Sequence, residues 1–240
     1  MDTGRRRLLQ VAVAVLPVQA LSSCGKAATS GQASVQPADA PRHRRFLIDS
    51  EWKLIDAAVA RLIPADALGP GAREANVTLF IDWQLAGPYG RAETWYMHGP
   101  WKDGTEQQGY QSKYAPAQLY RTAIKDVDDY CKASFGGKIF AELDGDAQDK
   151  VLHGLEKDEI KLANAPGKTW FTMLLQNTVE GFLADPMYGG NRDFIGWRLI
   201  GFPGPRYDYT DEIEEYNKRY ARAPVGILGR DGTRLVQDGS

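Results

Sequence analysis

The sequence predicts a mainly α protein: a single irregular helical domain with long ordered aromatic and glycine-rich loops, preceded by a signal segment and a flexible linker. Apolar residues recur at helical spacing in several short stretches, and no run alternates with period two for more than a few residues. The 240 residues are 43% hydrophobic and 25% charged, ordinary fractions for a globular chain long enough to bury a core. The net charge of −2 gives no electrostatic support for nucleic-acid binding.

Residues 1–24 have the three parts of an export signal, which are a charged start, an apolar middle and small residues after it. Arg5 and Arg6, followed by Leu8-Leu9, match the twin-arginine type, which carries folded proteins across the bacterial inner membrane. A chance arginine triplet and ordinary unfolded export are the alternatives. The apolar run is too short and too interrupted to span a bilayer. We therefore expect the protein in the periplasm, at the outer face of the inner membrane.

The signal segment ends in a cysteine that has two interpretations. Leu21-Ser22-Ser23-Cys24-Gly25 resembles the lipobox of bacterial lipoproteins, in which the cysteine is acylated. A lipid on Cys24 would tether the chain to a membrane surface without a spanning helix. The alternative is a small-residue cleavage region that happens to contain a cysteine. Residues 25–45 are rich in small and polar residues and predict a flexible linker.

Residues 46–220 hold the predicted helical domain, and residues 221–240 form a C-terminal tail. The first helix covers Leu54–Ile63, with Asp49 or Ser50 as N-cap and Pro64 closing it. The best core helix covers Trp170–Leu183 and ends at Asp185-Pro186, because a proline disfavours helix in the residue before it. Weaker helical patterns lie at residues 74–85, 117–133, 144–157, 192–200 and 211–219.

Two long connections, at residues 87–116 and 186–209, hold many of the aromatic residues. Loops longer than about 15 residues are uncommon and are usually functional or disordered, and this density of rings predicts order. Trp and Tyr provide large contact area at low entropy cost and are enriched at protein interfaces. The rings therefore pack under their own loops or contact another protein.

A search for catalytic and metal-binding motifs finds none with the required spacing. His43, His98 and His153 are far apart, and no cysteine pair suggests zinc or covalent haem. Gly167-Lys168-Thr169 has the end of a phosphate loop but lacks the preceding strand and first glycine.

Two further kinds of side chain leave alternatives open. The carboxylates of Asp82, Glu93 and Glu180 are candidates for an acid and base pair, which keeps a hydrolase possible. Cys131 is predicted to be buried and inert, or linked by a disulfide to another chain.

Six stretches of the chain form a distinctive set: Pro70–Ala75, Phe80–Leu85, Gln108–Gln111, Val179–Phe182, Asp185–Asp193 and Gly196–Gly204. The run from Asp185 to Gly204 is the most specific, because it combines Gly-Gly-Asn, a tryptophan and Gly-Phe-Pro-Gly. With the twin-arginine start, this set resembles the gluconate 2-dehydrogenase subunit 3 family, the small subunit of membrane-bound flavin-dependent sugar and sugar-acid dehydrogenases. The resemblance covers roughly residues 46–209.

The resemblance implies a non-catalytic accessory role. In these complexes a large flavoprotein oxidises the sugar at FAD, a multihaem cytochrome c subunit can pass on the electrons, and the small subunit carries neither cofactor. The large subunit typically lacks an export signal and travels bound to the small one, which also supports its maturation and stability. The resemblance thus implies no catalytic, cofactor or metal residues in this chain, and membrane association through the partner or a lipidated Cys24.

We expect the anchors facing the flavoprotein to include six aromatic residues: Trp95, Tyr96, Trp101, Tyr188, Trp197 and Phe202. Gly189, Gly190, Gly201 and Gly204 would supply backbone shapes that other residues resist. Two other functions stay open at this stage. One is a stand-alone periplasmic lipoprotein that binds sugars by aromatic stacking, and the other is an independent hydrolase that uses carboxylates such as Asp82 and Glu93.

Overall fold

The computed structural model describes residues 43–102, 104–206, 208–218, 220 and 222–229. The predicted signal segment with Arg5, Arg6 and Cys24, most of the linker and most of the tail lie outside these residues. Within them the fold is helical and contains no strand longer than an isolated bridge, which confirms the predicted class. The α-helices are α1 (Asp49–Leu62), α2 (Val77–Ala86), α3 (Pro116–Ser134), α4 (Gly145–Glu156), α5 (Gly167–Leu183) and α6 (Ile195–Ile200).

Helix α5 lies at the centre of the domain and packs against α1, α2, α3, α4 and α6. Trp170, Leu174 and Phe182 on this helix are fully buried. A helix surrounded by others needs apolar residues on more than one face, and its sequence supplies them at most positions. The prediction that this segment is the best core helix is confirmed. In the described part of the chain, none of the helices has the length and apolar character needed to cross a membrane.

Helix α1 begins differently from the prediction. The helix includes Asp49 as its first residue, so neither Asp49 nor Ser50 is the N-cap. The backbone N–H of Ile48 instead donates to the Glu51 carboxylate at 3.0 Å. This contact satisfies one of the free amides at the helix start through a side chain three residues further on. The helix ends before Pro64, as predicted.

The two predicted helices nearest the C-terminus differ from the structure. Asn191, Asp193 and Phe194 have φ angles of 46°, 55° and 58°, so a 3-10 turn at Arg192–Phe194 precedes the short α6. The helix predicted over residues 211–219 is wrong, because the described residues form a single 3-10 turn at Thr210–Glu212 followed by turns. Ile213 and Tyr216 are 70% and 80% exposed. A short helix without a buried face is not stable by propensity alone.

Glycines allow the segment 185–204 to approach α5 closely. A Cβ at Gly190 would lie 2.1 Å from the carbonyl oxygen of Gly181, and one at Gly196 would lie 1.9 Å from that of Phe182. Both distances are far below van der Waals contact, so only glycine fits. The predicted need for glycine is explained by positive φ at 189, 201 and 204, and by this lack of space at 190.

Buried carboxylates fasten the irregular segments to the helices. Asp82 on α2 is fully buried and accepts the backbone N–H groups of Arg45, Phe46 and Leu47 at 2.6, 3.0 and 2.7 Å. Asp126 on α3 accepts two consecutive backbone N–H groups, from residues 164 and 165, at 2.6 and 2.9 Å. Backbone amides away from water need partners, and charge-assisted hydrogen bonds are the stronger kind. These two side chains fix where the loops enter the domain.

Cys131 on α3 is fully buried in the core, as the first of its two alternatives predicts. Burial, helped by the nearby Asp128 carboxylate, raises the pKa of its thiol to about 12. The thiolate is the reactive form of cysteine. The native side chain is therefore protonated and shielded at ordinary pH.

Replacing Asp82→Asn should lower the free energy of unfolding by about 3 kcal/mol, because an amide N–H2 would face at least one of the three donors and leave it unpaired in the core. Urea denaturation measures the change. Glu93→Gln is the control, since Glu93 is exposed, and its effect should stay within about 0.5 kcal/mol. Equal stability of the two variants would contradict the fastening role of Asp82.

A Cys24→Ser variant, in which Cys131 is the sole remaining thiol, should not react with an aromatic disulfide reagent at pH 7 or pH 9 while folded. In denaturant one thiol per chain should react at once, because desolvation no longer holds the pKa of the group at about 12. Absorbance of the released chromophore gives the count. Rapid labelling of the native chain would contradict the burial of this residue.

Candidate partner-binding surface

The candidate surface has two parts, and the first is the loop that joins α2 to α3. Three aromatic rings pack in a row at the base of this loop. Trp95 lies between Tyr89 and Tyr110, with ring centroids 5.6 and 5.1 Å away and near edge-to-face geometry. The Tyr110 hydroxyl donates to the carbonyl of Tyr114 at 2.6 Å. Aromatic pairs in this geometry stabilise beyond the area that they bury. Trp95 is half-buried and supports the loop from beneath.

A buried polar contact ties this row to the core. The Tyr89 hydroxyl donates to the side-chain oxygen of Asn177 at 3.1 Å, and the amide of Asn177 donates to the Tyr120 hydroxyl at 2.9 Å. Asn177 and Tyr120 are almost completely buried. Burial raises the pKa of Tyr89 to about 12, so its hydroxyl stays protonated as a donor. The loop is therefore connected to the central helix α5.

Beyond Trp95 the loop extends into solvent. Tyr96 is 83% exposed and its ring lies 5.3 Å from that of His98. Trp101 is 40% exposed. Exposed Tyr and Trp side chains are the residue types that dominate binding energy at protein interfaces, so these rings are candidates for contact with another protein. We call Tyr96, His98 and Trp101 the loop patch.

The second part of the surface is formed by residues 185–204. Tyr188 is 46% exposed and Phe202 is 42% exposed. The Phe202 ring stands edge-to-face on Trp197 at 5.0 Å, and Trp197 stacks on Phe194 at 5.4 Å. We call Tyr188 and Phe202 the block patch.

Trp197 does not belong to the exposed surface predicted from the sequence. Its side chain is 5% exposed, and its Nε1–H donates to the carbonyl of Leu183 at 2.7 Å. That hydrogen bond holds the Trp197 ring against the end of α5. In this position the Trp197 ring supports the ring of Phe202. Of the six rings predicted to face a partner, four are exposed, Trp95 is half-buried and Trp197 is buried.

The three carboxylates that were candidates for a hydrolytic acid and base pair each bind other groups of the protein. Both oxygens of Asp82 accept backbone N–H groups inside the core. Glu93 is exposed and pairs with Arg91 at 2.6 Å, while Glu180 accepts the amide of Gln176 at 2.8 Å. Among the described residues no group of three or more His, Cys, Asp or Glu side chains could hold a metal ion. The geometry therefore gives no support to an Asp82 and Glu93 catalytic pair.

Sequence analysis missed a set of arginine and ring contacts where the chain enters the domain. The guanidinium groups of Arg44 and Arg45 lie 4.4 and 4.3 Å from the ring centres of Trp52 and Trp83. Trp83 also donates to the carbonyl of His43 at 3.1 Å. A Cβ on Gly189 would lie 3.2 Å from the Trp83 ring, so the segment of Tyr188 packs beside it. The consecutive arginines at 44 and 45 were the available signal, but nothing near them in the sequence identifies Trp83 as a partner ring.

Comparison with known proteins gives one result. The family model described as Gluconate 2-dehydrogenase subunit 3 matches residues 49–204, which is more than half of the chain and includes both patches. No curated protein and no solved structure matches the sequence.

Proposed function

The chain belongs to the gluconate 2-dehydrogenase subunit 3 family, and from that membership we propose that it is the non-catalytic small subunit of a flavin-dependent sugar-acid dehydrogenase complex. The family name places the chain in a multi-subunit dehydrogenase. In the proposal a large partner subunit oxidises the substrate at FAD, and a third subunit with haem c can accept the electrons. This chain binds the flavoprotein and supports its export, maturation and stability.

The exposed rings on an ordered base are the observation that carries the proposal. Tyr96 and Trp101 are exposed, yet the loop beside them is fixed by Trp95 and by the buried contact of Tyr89 with Asn177. Such preorganisation lowers the entropy lost on binding. A specific interface buries roughly 800 Å² on each partner, and aromatic residues dominate its energy. The loop and block patches supply rings of that kind.

The predicted signal segment, residues 1–24, supports the export part of the proposal. A twin-arginine signal carries folded cargo, so a flavoprotein bound before export can cross the membrane with this chain. Afterwards a lipid on Cys24, or the partner itself, holds the complex at the periplasmic face of the inner membrane. The substrate site and its specificity lie in the flavoprotein.

The direct test is purification of the tagged chain from its native membranes, with detection of flavin absorbance and identification of the co-purifying protein by mass. The double variant Tyr96→Ala and Trp101→Ala should weaken flavoprotein binding by about 2 kcal/mol, roughly 30-fold in Kd, because two exposed anchors are lost.

Tyr216→Ala is the matched control, since Tyr216 is 80% exposed but lies outside both patches and the family match. It should recover as much flavin as the wild-type chain. A colourless monomeric wild-type preparation would contradict the proposed function. Equal losses in the two variants would contradict the assignment of the loop patch.

Changing Arg5 and Arg6 to lysine should leave both this chain and the flavoprotein in the cytoplasm, because the paired arginines identify the signal. Cell fractionation followed by immunoblotting measures the distribution. An Arg198→Lys variant, at an exposed position of α6, keeps the signal and serves as the control. Periplasmic flavoprotein in the Arg5 and Arg6 variant would contradict the carrier role.

A further inference from the structure

Three exposed arginines lie close together where the described chain begins, each on an aromatic ring. The guanidinium of Arg121 on α3 lies 4.4 Å from the ring centre of Phe46 and donates to the Phe46 carbonyl at 3.0 Å. Arg44 and Arg45, which directly precede Phe46, lie on the two tryptophan rings described above. Ile48 in the same segment is 57% exposed. We call Arg44, Arg45, Ile48 and Arg121 the entry patch.

The rings hold these guanidinium groups in place while the arginine side chains stay accessible. The Arg44 and Arg121 side chains are 43% and 49% exposed. In the described part of the chain no carboxylate forms an ion pair with Arg45, which is also exposed. A guanidinium fixed on a ring loses little further freedom on binding, and its planar fork of donors matches the oxygens of a phosphate. The entry patch therefore offers ordered donors to an anionic partner.

The carboxylates around the entry patch are directed mainly inward. Glu51 is 8% exposed and accepts a backbone N–H at the start of α1. Asp82 lies in the core, where it accepts three more. Asp49 is the exposed carboxylate, and its surface ion pair with Arg44 is of the kind that contributes little to stability. The outward charge of the patch is therefore positive, and Arg42 adds to it in the sequence.

We propose that the entry patch binds the anionic phospholipid headgroups of a membrane surface. The guanidinium groups bind lipid phosphates, and each basic side chain near an anionic surface raises the affinity by about fivefold. Ile48 enters the boundary between headgroups and acyl chains. The half-buried Trp52 and Trp83 beneath the arginines are of the residue type that is enriched at this boundary.

The position of the patch in the chain favours this occupant over an acidic protein. The predicted linker, residues 25–45, ends within the patch. A lipid on Cys24 would hold the patch within roughly 25 Å of the bilayer by the dimensions of a flexible chain of this length. The binding itself requires neither that lipid nor the flavoprotein, so the proposal goes beyond the proposed function and can fail independently of it.

Sedimentation with vesicles of phosphatidylcholine and phosphatidylglycerol in equal parts tests the proposal on the full chain carrying Cys24→Ser. Changing Arg44 and Arg45 to glutamine should lower the partition coefficient about tenfold, and raising the salt concentration should remove most of the difference. The matched control changes Arg192 and Arg198 to glutamine. Both are exposed, so this variant loses the same charge elsewhere and should bind like the parent chain.

A second variant tests the apolar part of the patch and leaves every charge in place. Ile48→Gln should weaken binding to the mixed vesicles about threefold, because its apolar side chain no longer enters the lipid. Ile227→Gln is the control, since Ile227 is 60% exposed outside the patch. Thermal unfolding followed by circular dichroism checks that all variants fold.

Vesicles of phosphatidylcholine alone measure the binding of the apolar run in the predicted signal segment, which all these chains share. The parent chain and both arginine variants should bind them equally. Equal losses in the two arginine variants on mixed vesicles would show that net charge alone matters and would overturn the proposal. Unchanged vesicle binding of the Arg44 and Arg45 variant, with loss of the co-purifying flavoprotein, would assign the patch to a protein instead.

Discussion

The structure depends on buried carboxylates that accept backbone N–H groups from segments without regular structure. Asp82 accepts N–H groups from the segment before α1, Asp126 accepts them from the loop before α5, and Asp185 accepts those of Met187 and Ile227. The helices are short and the connections long, so many amides would otherwise lack partners inside the protein. A carboxylate that accepts several N–H groups solves this with one side chain, which explains how an irregular helical domain can place its loops accurately.

Sequence reasoning succeeded where the signal was local and periodic. The pattern of α5 predicted a central helix, and Pro64 and Pro186 predicted helix ends. It failed where the deciding contact was distant, because nothing near Asp82 reveals that its partners lie 35 to 37 residues earlier. The left-handed backbone of Phe194 and the burial of Trp197 also depend on contacts with residues distant in sequence, so no local pattern predicts them. Composition showed which loops carry rings but could not show which rings face outward.

The candidate surface consists of exposed aromatic side chains next to aromatic side chains that the domain holds in place. Phe202 stands edge-to-face on Trp197, and the hydrogen bond of Trp197 to the Leu183 carbonyl holds the supporting ring in place. Tyr96 follows the half-buried Trp95 in the chain, and its own ring lies beside that of His98. Residue type alone does not reveal which aromatic side chains of these loops support the fold and which are exposed.

Trp83 contacts two segments of the chain that are distant in sequence. It binds the carbonyl of His43 and the guanidinium of Arg45 on the side where the chain enters, and Gly189 packs on its ring. A displacement of residues 43–45 would therefore change the packing of Gly189 through one indole ring, so the start of the described chain and the edge that displays Tyr188 are mechanically coupled.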